Sequence, residues 1–226
     1  YSSKFTGFKN LLSTGTDGIA TAITLSNNGD TIMALSGDNS GNDTVTGGAG
    51  NDSINYQEST PYSIEVNSGA GNDIIWVHSG TIDGGAGDDS IRVNGTNNEN
   101  ATIIGGIGND IINYDGSGQT SIEGGDGNDF ISIWGGNSKV LTGTGDDTVY
   151  TGNGDDIINC TGSGNNIIYS KGGDDVITCG GGNDTIYAGN GNDIIYGRNK
   201  ESKFPASRVF ACNVHDFFIF KQRQNF

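Results

Sequence analysis

One large aliphatic residue recurs in a fixed polar frame along most of this chain. Residues 47–55 show the frame in full: Gly47, Gly48, Ala49, Gly50, Asn51, Asp52, Ser53, Ile54 and Asn55. Its form is Gly-Gly-x-Gly-x-Asp-x-U-x, with U the apolar position. U is filled by Val45, Ile54, Ile75, Ile91, Ile112, Ile131, Val149, Ile158, Ile168, Ile177, Ile186 and Ile195. Every one is β-branched, which favours strand over helix. A single apolar residue between polar neighbours is the alternation of a half-buried strand. The glycines ahead of it give the positive φ and close backbone approach that a tight turn needs. The pattern predicts short strands joined by glycine turns, with the U residues stacked in two inward ladders.

The aspartate of the frame, its sixth position, sets the register. It falls at Asp43, Asp52, Asp73, Asp89, Asp110, Asp129, Asp147, Asp156, Asp175, Asp184 and Asp193, with Asn166 in its place once. From Asp52 to Asp147 the steps are 16–21 residues; beyond Asp147 they are 9 or 10. One geometry accounts for both. A coil of two strands and two turns uses about eighteen residues, so nine-residue spacing puts the frame on both turns and the longer spacing on one. The plain turns of the longer stretch include 57–63, 94–101 and 135–138, and the weaker strands after them include 63–66, 102–104, 121–123 and 139–141. Successive coils should stack about 4.8 Å apart. The 16-residue step from Asp73 to Asp89 is short and predicts a turn pair out of register.

Three regions follow. Residues 1–37 read as irregular first coils and an N-terminal cap, because a terminal repeat must cover an open core end. Residues 38–197 hold the repeats. From Arg198 glycine disappears, and Phe204, Phe210, Phe217, Phe218 and Phe220 stand among basic residues. Region 198–226 reads as a basic aromatic tail or cap, with a secretion signal or an unrelated joined sequence left open. Its 217–220 run needs a packing partner, since an uncovered one would invite aggregation.

Composition and charge narrow the chemistry. Only 32% of the 226 residues are hydrophobic, thin for a conventional core. Repetition answers this, because each coil buries its few apolar side chains against its neighbours. Residues 1–197 carry five basic and 25 acidic side chains, a charge of −20, while 198–226 carry +4. The acidic segment repels itself without counter-ions and is a poor partner for nucleic acid, which needs a basic surface. Aspartates at fixed spacing suit a hard cation with oxygen ligands better than a generic solubilising surface. Three cysteines are too few for a disulfide scaffold and wrongly spaced for zinc. No stretch is long and apolar enough to be a transmembrane segment. The chain begins at Tyr1, which suits a piece of a longer protein, and residues 1–12 lack the apolar run of a signal peptide.

From Asp38 to Gly197 the chain resembles the repeats-in-toxin (RTX) family, the hemolysin-type calcium-binding repeats. The resemblance implies an all-β chain, a right-handed parallel β-roll (a β-solenoid) with several Ca2+ ions in its glycine-rich turns. Each ion would lie between successive turns on one side, held by carbonyls and sixth-position aspartates. Carried onto this chain, one side runs Asp52, Asp73, Asp89, Asp110, Asp129, Asp147, Asn166 and Asp184. The other holds Asp156, Asp175 and Asp193, with Asp43 isolated near the start. Neutral Asn166 implies weaker or empty sites beside it. The best-matched pairs are Asp156–Asp175 and Asp175–Asp193. The family also implies export and folding outside the cell, where modules of this kind bind calcium at about 10⁻⁴–10⁻³ M and binding free energy becomes folding free energy.

Other side chains weigh less. Cys160 and Cys179 should point inward in adjacent coils, as buried thiols or as a disulfide. Tyr150, Tyr169 and Tyr187 should form an outward ladder that stacks for stability, with sugar docking as the alternative. His78 reads as a surface residue at a turn, and neither it nor His215 stands in a zinc or catalytic spacing. The chain therefore reads as a non-catalytic, extracellular calcium-binding module that folds on calcium and supports export and stability of a parent protein. The alternatives are the repeat module of a longer secreted protease, lipase or alginate epimerase, and an adhesin or surface-layer fragment that binds polysaccharide or a cell surface.

Overall fold

The computed structural model describes residues 3–8, 10–14, 21–35, 43–56, 63–95, 99–198, 210–213 and 217–221, with side chains for 22–32, 43–56, 63–95 and 99–197. Most of the predicted 57–63 turn, residues 96–98 of the 94–101 turn, His215 and the packing of the 217–220 run lie outside the described residues and side chains.

Among the described residues the chain forms twenty-three strands and no helix. Successive strands alternate between two sheets, of 12 and 11 strands, so each coil adds one strand to each sheet. Pairing is parallel from the first strand to Ile194–Arg198. This is a parallel β-solenoid, and the alternation of the U residues builds it. In one sheet Val45, Val66, Ile82, Ile103, Ile122, Val140, Ile158, Ile177 and Ile195 stack in register. In the other, Ile54 begins a matching column that runs to Ile186. No member of these columns is more than 5% exposed. Burying each such side chain is worth about 1.5–3 kcal/mol, and that repeated term replaces a single large core.

Strands Ser3–Phe8, Asn10–Thr14, Thr21–Leu25 and Thr31–Leu35 extend the same two parallel ladders. At the other end the direction reverses. Phe210–Asn213 pairs antiparallel with Asn183–Tyr187, and Phe217–Lys221 pairs antiparallel with Ile194–Arg198.

The 16-residue step keeps its register, contrary to the expectation from its length. Ile75 pairs with Ile91, Val66 with Ile82, and Ile82 with Ile103. The missing residues come out of the opposite turn, where His78 and Ser79 alone separate Ile74–Val77 from Gly80–Ala86. In the next coil Glu99, just ahead of the strand Ala101–Ile107, places its Oε2 2.8 Å from His78 Nε2. His78 is 8% exposed, so it is a buried, paired residue and not a surface one. Tyr114, fully buried, donates its hydroxyl to the Glu99 carbonyl at 2.6 Å.

Candidate metal centre

The β-roll turns put the sixth-position side chains at two edges. Asp52, Asp73, Asp89, Asp110, Asp129, Asp147, Asn166 and Asp184 lie at the starts of consecutive strands of the 11-stranded sheet. Asp156, Asp175 and Asp193 lie at the starts of consecutive strands of the other. Asp43 begins a strand of that second sheet several coils away. It is half-buried, and the Tyr56 hydroxyl donates to its Oδ2.

Apart from Asp43, these carboxylates are no more than 2% exposed, and their first oxygens form a continuous ladder. The Asp73 N–H donates to Asp89 Oδ1 at 2.8 Å, Asp89 to Asp110 at 2.8 Å, Asp110 to Asp129 at 2.9 Å and Asp129 to Asp147 at 2.9 Å. On the other edge Ser138 donates to Asp156 at 2.7 Å, Asp156 to Asp175 at 3.0 Å, and Asp175 to Asp193 at 3.1 Å. Each aspartate thus caps a backbone amide of the coil before it.

The second oxygens are different. Oδ2 of Asp73, Asp89, Asp110, Asp129, Asp147, Asp156, Asp175, Asp184 and Asp193 is buried with no hydrogen-bond donor. The hydroxyls beside Asp73, Asp156 and Asp175 belong to Ser68, Thr151 and Ser170. They donate instead to the carbonyls of Gly84, Ser170 and Ala188. The Ser138 hydroxyl, also beside Asp156, donates to the Gly136 carbonyl, and that of Thr142, beside Asp147, makes no hydrogen bond. Asp52 is the exception, its Oδ2 accepting from Gly48 N–H at 3.1 Å. A buried ionised oxygen without a donor is costly, and two edges of them call for positive charge. Burial pushes the carboxyls of Asp89, Asp129 and Asp175 up to about 7 and that of Asp147 to about 6. Backbone amides oppose the shift and neighbouring carboxylates reinforce it. Burial also raises Asp73, Asp110, Asp156, Asp184 and Asp193.

The frame's first glycine leaves the room a cation needs. A Cβ at Gly105 would stand 2.5 Å from Asp110 Oδ2 and 2.5 Å from the Gly124 carbonyl oxygen. Gly84 and Gly124 face Asp89 Oδ2 and Asp129 Oδ2 in the same way. Each pocket offers a carboxylate oxygen and a carbonyl of the following coil, the hard-oxygen set that calcium takes. Among the described residues no three His, Cys, Asp or Glu side chains converge, so backbone carbonyls must supply much of any coordination shell. On the second edge the equivalent inward places belong to Thr151, Ser170 and Ala188, all buried. The roomiest pockets therefore lie on the first edge, around Asp89, Asp110 and Asp129. Gly105→Ala is expected to reduce the number of calcium ions bound at saturation, counted by equilibrium dialysis. Gly135→Ala, whose Cβ would meet nothing within 4 Å, should leave the count unchanged.

Two sets of residues escaped the sequence reading. Asp30 is 2% exposed, and its N–H donates to Asp52 Oδ1 at 2.6 Å, so the first edge starts one coil earlier. The signal was residues 28–32, Asn-Gly-Asp-Thr-Ile, which keep the aspartate and the apolar position of the frame but not its leading glycines. The frame's fifth position forms a second, exposed ladder: Asn51 Oδ1 accepts from Asn72 N–H, Asn72 Oδ1 from Asp88 and Asp88 Oδ1 from Asn109. The doublets Asn-Asp and Asp-Asp carried that signal.

The tyrosine ladder is present on the outer face. Ring centroids of Tyr150 and Tyr169 are 4.6 Å apart at 2°, and those of Tyr169 and Tyr187 are 4.5 Å apart at 1°. Stacked so closely, the rings cover one another's faces, which are the surfaces a sugar would need. The geometry is that of cross-strand stabilisation. Among the described residues no helix is long and apolar enough to cross a membrane.

The RTX calcium-binding nonapeptide repeat matches this chain in four copies, at residues 26–56, 114–138, 135–159 and 161–195. No curated protein and no solved structure matches the chain significantly. The repeat's description names the cation that the buried carboxylate edges call for, and a β-roll of this type is a non-catalytic repeat module. The chain belongs to the RTX calcium-binding repeat family and binds Ca2+ at several of its repeats.

Proposed function

We propose that this chain is the calcium-triggered folding module of a secreted protein. Its ligands are the sixth-position aspartates of both edges, with glycine carbonyls between them, and Asp43 stands apart from both rows. The observation that carries this reading is the row of buried, donor-less Oδ2 oxygens. Without cations the −20 segment is self-repelling and its buried carboxylates are unsolvated, so the chain stays expanded where calcium is scarce. At extracellular calcium, binding supplies the folding free energy. The module thereby passes out of the cell unfolded and stabilises its parent protein only outside. Region 198–226 acts as its C-terminal cap, a reading favoured by the antiparallel strands that it adds to the last coil of each sheet. The covered faces of the tyrosine stack disfavour the polysaccharide-binding alternative.

The test is a calcium titration followed by far-UV circular dichroism, from chelator to about 10 mM, with magnesium as control. A cooperative gain of β signal with calcium alone supports the reading. A full β signal already present in chelator at neutral pH would overturn it.

A further inference from the structure

Two adjacent coils depart from the rest of the roll in three ways at once. Asn166 replaces a carboxylate, and both its backbone N–H and its side-chain amide donate to Asp184 Oδ1, each at 3.0 Å. The inward column that holds Gly84, Gly105 and Gly124 in earlier coils continues through Thr142 into Cys160 and Cys179. The register then slips between Cys160 and Ser163, where the strand Ile157–Ser163 carries an extra residue. Side chains thus stand here where other coils leave room for a cation, and the facing turn has lost a charge. The two cysteines pair directly, are 0% and 4% exposed, and bring their sulfurs within 3.1 Å. Both are thiols in this structure.

We propose that Cys160 and Cys179 form an inter-coil disulfide, a covalent staple at the step where Asn166 weakens the calcium ladder. Neighbouring strands lie about 4.8 Å apart, inside the Cα separation a disulfide accepts, and the sulfurs need approach by only about 1 Å more. The oxidant is a low-molecular-weight disulfide of the glutathione type. One cysteine thiolate attacks it and expels a thiolate, leaving a mixed disulfide. The second cysteine thiolate attacks the protein sulfur of that intermediate and expels the other. The two electrons lost by the cysteines reduce the oxidant, and the two protons they give up pass to the released thiols. Because the folded roll buries both sulfurs, the reaction belongs to the open, calcium-free chain. A loop of this size raises the folding constant by about a hundredfold, which shared over about six cooperative ions lowers the calcium midpoint about twofold.

The full chain, reduced and then equilibrated in chelator with oxidised and reduced glutathione, is blocked with iodoacetamide and mapped by peptide mass spectrometry without reductant. The expected main product links Cys160 to Cys179, and it persists in Cys212→Ser. Mainly Cys212 linkages, or glutathione adducts alone, would overturn the proposal. The readout rests on the chain being open in chelator, as proposed above, and far-UV circular dichroism of the same chelated sample separates the two failures. A β signal there counts against that reading, and its absence together with a missing Cys160–Cys179 link counts against the disulfide. The oxidised chain should then fold at about half the calcium concentration of the reduced chain. The difference should vanish in the Cys160→Ser, Cys179→Ser double variant. Equal midpoints for oxidised and reduced wild type would overturn the staple role.

Discussion

Replacing Asp110 by alanine is expected to raise the calcium concentration needed for folding several-fold and to abolish the ions bound on either side of it. Asp110 does two jobs. Its Oδ1 accepts the Asp89 N–H at 2.8 Å, and its Oδ2 faces the Gly105 pocket with no donor. Alanine removes both, leaving a buried amide unsatisfied at about 1–3 kcal/mol in addition to the lost ligand. Asp110→Asn separates the two. Asparagine keeps an Oδ1 for the Asp89 amide, as Asn166 does for Asp147 at 3.0 Å, but has no charge to offer. The asparagine variant should therefore fold no worse than wild type in calcium-free acid but need more calcium at neutral pH. Circular dichroism midpoints and ion counts for the two variants check this. Matching wild-type midpoints in both would mean that Asp110 holds no ion.

Removing calcium should unfold the roll at neutral pH but spare it in mild acid. The carboxyls of Asp89, Asp129 and Asp175 sit at about 7 and that of Asp147 at about 6, each raised from 3.8 mainly by burial. A folded value above the unfolded one means that the folded chain holds protons the unfolded chain has lost. The stability this contributes is complete below about pH 4 and disappears as pH rises through 6 to 7. Protons thus do part of the work of calcium, by neutralising the oxygens that lack donors. In chelator, a β signal and a thermal unfolding transition should be present at pH 5 and absent at pH 7.5. With saturating calcium the roll should be more stable at pH 7.5 than at pH 5, since protons compete with the ion for the same oxygens. Calcium binding near pH 6.5 should release protons, detectable by titrating unbuffered protein. A chelated protein more stable at pH 7.5 than at pH 5 would contradict the burial of these charges.

Much of the architecture was legible because solenoid contacts are nearly one-dimensional. The β-branched U residues announced both inward columns, and the spacing of the aspartates announced which turns share an edge. The short Asp73–Asp89 step misled because a length difference does not say where residues are removed. Here the plain turn at His78 and Ser79 absorbed it, and both ladders kept register. His78 was misjudged for a related reason, since its cover comes from Glu99 in the next coil. The frame also could not reveal that one aspartate oxygen caps an amide while the other lacks a donor. That division arises from the stacking of coils, which places the Asp89 N–H on Asp110 and leaves Oδ2 facing Gly105. Nor did the close match of the Asp156–Asp175 and Asp175–Asp193 pairs disclose that Thr151, Ser170 and Ala188 fill the inward places glycine leaves open on the first edge.

The central claim is that the donor-less aspartate oxygens are calcium ligands. Long-wavelength X-ray diffraction from crystals grown in calcium locates the ions by their anomalous signal. The account predicts peaks at about 2.3–2.6 Å from Oδ2 of the buried aspartates, strongest around Asp89, Asp110 and Asp129 and weakest beside Asn166. Peaks confined to the exposed fifth-position side chains, such as Asp88 and Asp146, or no peaks along either edge, would contradict it.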